Sequence, residues 1–230
     1  MSDESYTRAG CWNDEREGHF GGSSCEHSRP GVSSSLDRIS KSGWVEQSAE
    51  SVWQAAGKAL AGCLAQGAEH EVVALGISNQ RETLVAWNRD TGEPLAPCIV
   101  WQCRRSAEIC QAVRQKGLEE FIRAKTGLQV DPLFPSSKIQ WLFENRPEIR
   151  KLAEEGRACL GTVDAWLVWN LTGHKRFVTD YSNASRTQLF NIGRGEWDAE
   201  LLTLFGVPAS ALPEVVASNH PLGDAILPWS

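Results

Sequence analysis

Asn79-Gln80-Arg81-Glu82-Thr83 sets a guanidinium beside a carboxylate at the end of an apolar run, residues 71–78. Arg81 offers a rigid fork of donors, and ionised Glu82 offers only acceptors. A polyhydroxy ligand needs both, because each hydroxyl gives and takes a hydrogen bond. On a strand the two side chains would point to opposite faces, but at a strand end or bulge both reach one cleft. The plainer alternative is a solvated surface pair worth ~0–1 kcal/mol.

Ile99 to Arg105 (IVWQCRR) is the second constellation. Trp101 at a strand end could lay its ring along a carbon chain, although with ten Trp in the chain core packing is the default use. Arg104 and Arg105 suit a phosphate, or the solvated start of a helix. Cys103 beside them would be reactive only if its thiolate were stabilised. The segment 180–192 (DYSNASRTQLFNI), polar and then apolar, reads as a loop entering a strand. Neither a phosphate loop of the G-x-x-x-x-G-K-[ST] type nor a G-x-G-x-x-G string after a strand occurs.

The elements that would position these residues begin near Gly43. The spacing predicts a helix over 49–66, buried strands over 71–78 and 83–88, a reversal at 89–92, and a strand over 98–101. Helices follow over 104–116, 118–125, 136–144 (with a Ser cap) and 147–155. A strand over 158–163 then leads to a helix capped by Asp164 and ended by Gly173. Strands and helices mixed in this order indicate an α/β domain. Residues 1–42 differ: ten serines, scattered charge and little apolar periodicity read as a disordered segment.

Composition narrows the function classes. The 230 residues carry 23 Lys and Arg against 29 Asp and Glu, a formal charge of −6, which argues against a nucleic-acid or membrane-surface binder. No stretch approaches the ~18 apolar residues of a transmembrane helix, and no signal peptide shows. Seven Cys without C-x-x-C spacing fit reduced thiols in a cytoplasmic protein. No His and Cys cluster suggests a metal. The sequons at Asn170 and Asn183 read as chance matches.

Seven strings in one order carry a resemblance: GWVEQ (43–47), GISNQRET (76–83), IVWQCRRSAEIC (99–110), TGLQVDP (126–132), SSKIQWL (136–142), GTVDAWLVWNLTG (161–173) and TDYSNASRTQLFNI (179–192). Together they resemble the N-terminal domain of the glycerol kinases, within the FGGY carbohydrate kinases, from residue 43 onward. The resemblance implies an actin-like, ribonuclease-H-like α/β fold. It also implies ATP with Mg²⁺ as phosphoryl donor, and transfer to glycerol giving sn-glycerol 3-phosphate. Arg81 and Glu82 match the family's glycerol-binding pair, and Trp101 matches the aromatic against the glycerol carbons.

Three departures qualify it. Residues 1–42 lack the family's Asp-Gln-Gly-Thr-Thr-Ser hairpin, so the first β-hairpin with its phosphate loop is not recognisable. No Gly-Asp-Gln string with the catalytic Asp follows, so no catalytic residue is assigned in this chain, and the expectation is an incomplete, inactive unit. Leu133 stands where the family carries a Tyr and supplies no hydroxyl, which makes it a doubtful substrate contact. The alternatives are a non-catalytic polyol- or partner-binding remnant and a kinase for another polyol. Self-association of the full-length enzyme stays open.

Overall fold

The run Leu84 to Trp87 is buried on both sides, which a strand achieves only when each face carries its own layer. The structure, a computed structural model, describes residues 9–11 (as backbone), 41–66 and 72–226. At its centre lies a strand of residues Val85–Asn88. In chain order the strands are β1 (Ala9–Cys11), β2 (Glu46–Gln47), β3 (Leu75–Ile77), β4 (Val85–Asn88), β5 (Cys98–Ile99), β6 (Ala158–Gly161), β7 (Val178–Asp180), β8 (Phe190–Asn191), β9 (Glu196–Trp197) and β10 (Glu214–Val216). β4 pairs antiparallel with β6, Val85 opposite Gly161 and Trp87 opposite Cys159. On its other side the Leu84 and Ile99 amides and carbonyls exchange hydrogen bonds of 3.0 Å, and β5 in turn pairs antiparallel with β2. Parallel pairs join β1 to β3 and β7 to β10.

Side-chain alternation along the central strand divides the core. Leu84 and Ala86 join one apolar cluster with Ile122, Ile139, Leu160 and Leu189. Val85 and Trp87 join the other with Val52, Val163 and Trp166. Helices α2 (Ala107–Gln115), α3 (Glu119–Thr126), α4 (Pro135–Asn145), α5 (Pro147–Glu154) and α8 (Ala199–Phe205) supply the first layer. Helices α1 (Ala49–Gln66) and α6 (Val163–Leu171) supply the second. A single turn, α7 (Tyr181–Ala184), follows β7. The result is the α/β layering expected from the sequence.

Two glycines are fixed by geometry. Gly92 closes the reversal after β4 at φ +74°, where the Asn88 side chain accepts from the Asp90 and Thr91 amides. At Gly161 an added Cβ would lie 2.8 Å from Ala165 and 3.3 Å from the Trp87 ring, so β6 and α6 approach only because the side chain is missing.

Several expectations change. The strand over 71–78 reduces to Leu75–Ile77, and it is not buried: Val72 and Val73 are 44% and 60% exposed. An apolar run alone does not say whether a second layer covers it. Asp164 is not the cap of α6; Thr162 takes that place, and the Asp164 carboxylate turns inward to accept from Thr162 and Thr179. The N-cap of α4 is Phe134, with Pro135 opening the helix, while Ser136 and Ser137 are buried inside it. The loop expected to enter a strand over 180–192 opens on the turn α7, capped by Asp180 through the Asn183 amide, and then reaches β8. Within the segment 1–42 read as disordered, residues 9–11 form the strand β1; residues 1–8 and 12–40 lie outside the described residues.

Candidate functional site

Arg81 and Glu82 occupy a turn between β3 and β4, past the end of one strand and just before the next. That position frees both side chains from strand alternation. Arg81 is exposed and makes no hydrogen bond or ion pair among the described residues. Glu82 is gripped twice. Its carboxylate Oε1 accepts from Arg186 Nε at 2.7 Å, with the two side chains only 13% and 28% exposed. Its main-chain carbonyl accepts from Lys138 Nζ, also at 2.7 Å. The plain surface pair between Arg81 and Glu82 is therefore not what forms; the acid pairs with a cation 104 residues further on.

Trp101 is 42% exposed, not a core residue. Its backbone N–H donates to Thr83 Oγ1 at 3.3 Å, which ties the indole-bearing turn to the residue after Glu82. Leu133 is half-buried in the turn before α4, its amide bonded to Asp131 Oδ1 at 2.8 Å. The next residue, Phe134, carries the Arg186 guanidinium over its ring at 5.1 Å. A chain of contacts thus runs from Trp101 through Thr83 and Glu82 to Arg186 and on to the Leu133–Phe134 turn. Of the four residues named from sequence, Glu82 lies within this chain, Trp101 and Leu133 flank it, and Arg81 projects from its edge.

The arrangement has a definite chemical capacity. Arg186 engages Oε1 of Glu82 and leaves the acceptor positions of Oε2 for a hydroxyl donor. Arg81, the preceding residue, is an exposed donor, and Trp101 is partly exposed. Burial pushes the Lys138 ammonium down to about pH 7, with the Cys103 thiol and the Glu82 carboxylate pulling the other way.

Two residues that sequence reasoning weighed as chemical turn out to be structural. Arg105 is not a solvated helix start. It lies over the edge-to-face rings of Trp44 (4.1 Å) and Trp141 (4.9 Å) and donates to Glu46 at 2.8 Å. Cys103 is 1% exposed and accepts from Arg105 Nε, so no reagent reaches it as a nucleophile. Lys138 and Arg186 were missed as site residues. Both lay within the SSKIQWL and TDYSNASRTQLFNI strings, but their partner lies far away in the chain. Among the described residues no three His, Cys, Asp or Glu side chains gather as a metal site. Nor, among the described residues, is any helix long and apolar enough to cross a membrane.

Comparison with known proteins bears on this geometry. A glycerol kinase of Treponema denticola is 50% identical over 185 residues, covering 80% of this chain and 37% of its own length. One of Carboxydothermus hydrogenoformans is 50% identical over 186 residues, with the same coverage. The chain thus spans little more than a third of the curated relatives it matches. The crystal structure of Plasmodium falciparum glycerol kinase with ADP superposes with a TM-score of 0.74 at 33% identity, over 78% of this chain and 36% of that one. The fold is the actin-like α/β fold expected from the motifs, and the FGGY match begins at residue 31, twelve residues before the Gly43 start read from the strings. Since the profile of the FGGY carbohydrate kinase N-terminal domain covers residues 31–226, nearly all of the described structure, the chain belongs to the FGGY family of carbohydrate kinases.

Proposed function

We propose that this chain provides the polyol-recognising part of an ATP-dependent kinase whose acceptor is glycerol and whose product is sn-glycerol 3-phosphate. The observation that carries the reading is the Glu82 carboxylate, anchored by Arg186 on one oxygen and open on the other, beside exposed Arg81 and Trp101. In this reading Glu82 accepts from one or two glycerol hydroxyls, Arg81 donates to them, and the Trp101 ring covers the carbons. ATP with Mg²⁺ supplies the phosphoryl group and its charge neutralisation when bound. What these residues contribute is orientation of the attacking hydroxyl, which is most of what phosphoryl transfer asks of a protein. The likeness to curated glycerol kinases supports glycerol over other acceptors, and a cytoplasmic location goes with it. One observation favours a second reading, a kinase for another polyol: Leu133 brings no hydroxyl to the edge of the site.

Isothermal titration of the 230-residue chain with glycerol, with and without ATP, tests the proposal. Wild type should bind glycerol, and Glu82→Gln should bind it about 10–100-fold more weakly, the loss of a charge-assisted hydrogen bond. Enhancement by nucleotide would support a kinase role, whereas binding indifferent to nucleotide would mark a polyol-binding module. Tighter binding of a longer polyol would favour the second reading. Equal glycerol binding by wild type and Glu82→Gln would overturn the assignment.

A further inference from the structure

Lys138 sits in the first turns of α4 with no solvent exposure, among buried Ser136, Ser137 and Ile139. A buried ammonium is costly, and a Met would fill the same space without that cost. The charge is spent on one hydrogen bond among the described residues: Nζ donates to the carbonyl of Glu82 at 2.7 Å, across 56 residues of chain. The titratable and charged groups whose fields reach the ammonium are Cys103, Glu82, Arg105 and Asp131. Arg105 is already held by Glu46 and two indoles, and the Glu82 carboxylate by Arg186. What is left for Lys138 to hold is the Glu82–Thr83 peptide.

We propose that Lys138 is a positioning residue for polyol binding, whose ammonium fixes the Glu82–Thr83 peptide and through it the direction of the Glu82 carboxylate and the Arg81 side chain. This rests on the polyol reading of the same site. The peptide is a sensitive place to hold. Its carbonyl belongs to Glu82, and the side chain of its Thr83 accepts from the Trp101 amide. One buried cation therefore steadies the acid directly and the indole through one intervening residue. Because burial brings Lys138 near its titration at neutral pH, the grip should loosen as pH rises. A neutral amine still donates, but about fivefold more weakly in affinity than an ammonium does.

Two readouts on the full 230-residue chain test this. In the first, without ligand, the carbonyl-carbon NMR resonance of Glu82 is followed from pH 5.5 to 9. It should titrate with a midpoint near pH 7 in wild type and stay flat in Lys138→Met. In the second, glycerol affinity by titration calorimetry should fall about fivefold in wild type over that range. Lys138→Met should be about tenfold weaker at low pH and insensitive to pH, while its melting temperature stays level or rises. A purely structural lysine would lower the melting temperature and leave the pH profile in place. A flat Glu82 resonance in wild type, or a Lys138→Met chain with wild-type affinity and pH profile, would overturn the proposal. If wild type bound no glycerol, the polyol reading would fall, and the carbonyl titration would still decide whether Lys138 grips this peptide. The wild-type titrations need no variant, so a Lys138→Met chain that failed to fold would leave them decisive.

Discussion

Glu82 is held at both of its polar ends, and each hold makes a different demand. Lys138 fixes the main chain; Arg186 fixes the carboxylate and is itself steadied by the Phe134 ring. Removing Arg186 leaves a largely buried acid without its cation, a loss of about 1–3 kcal/mol. Arg186→Gln should therefore lower stability by that amount in urea unfolding and weaken glycerol binding about tenfold or more. Arg186→Lys should recover the charge but not the ring contact, and so restore only part of both. Unchanged binding in Arg186→Gln would show that the acid needs no partner to face its ligand. The residue types at 81, 82 and 101 announced donor, acceptor and aromatic face in the sequence. Lys138 and Arg186 did not announce themselves, because a lysine in a helix and an arginine after a turn are ordinarily solvated. Only the folded chain, which joins residues 56 and 104 positions apart, reveals their partner.

At the scale of elements, helices were more legible than strands. Gly117, at φ +69° between α2 and α3, and Pro147, opening α5, punctuate the chain where a helix must break, and the observed ends fall within a few residues of the expected ones. Strands of two to four residues carry too little periodicity to bound, and their burial depends on layers that the local sequence does not describe. Helix ends also hide what a cap does beyond capping. Asp198 caps α8 through the Glu200 and Leu201 amides, yet it also accepts from Lys125 Nζ and Asn191 Nδ2, each at 2.8 Å. Burial alone would raise its pKa; the bonds from Lys125, Asn191 and the Leu201 amide outweigh that and bring it down to about 2. One side chain thereby ties α8 to α3 and β8. Asp198→Ala should cost about 2–4 kcal/mol in urea unfolding, a cap plus the partner of a nearly buried cation. Asp198→Asn, which keeps an acceptor for the amides, should cost less. Equal losses in the two variants would mean that the tie to Lys125, and not the cap, carries the effect.

For the whole molecule, two buried ionisable groups shape stability against pH in opposite senses. Asp164 lies 7% exposed between β6 and β7, bonded by the Thr162 and Thr179 hydroxyls at 2.5 and 2.6 Å. Burial raises its pKa to about 6, the two hydroxyls pulling it back. The folded chain therefore holds a proton that the unfolded chain has released between about pH 4 and pH 6, and folding stability falls as pH rises through that window. Lys138 does the reverse. Its folded pKa of about 7 lies below the unfolded value, so between about pH 7 and pH 10 the unfolded chain binds the extra proton and stability rises with pH. Together they place their combined penalty at its largest between pH 6 and 7. The stability difference between Asp164→Asn/Lys138→Met and wild type, from urea unfolding at a series of pH values, should favour the variant most in that window. It should shrink toward pH 4 by on the order of 2–3 kcal/mol, and also shrink toward pH 10. Ordinary surface carboxylates and lysines cancel in the difference, since both chains carry them. A difference curve that stayed level from pH 4 to 10 would mean that neither group is buried as its surroundings indicate, and it would remove the physical basis for a titrating lysine behind Glu82.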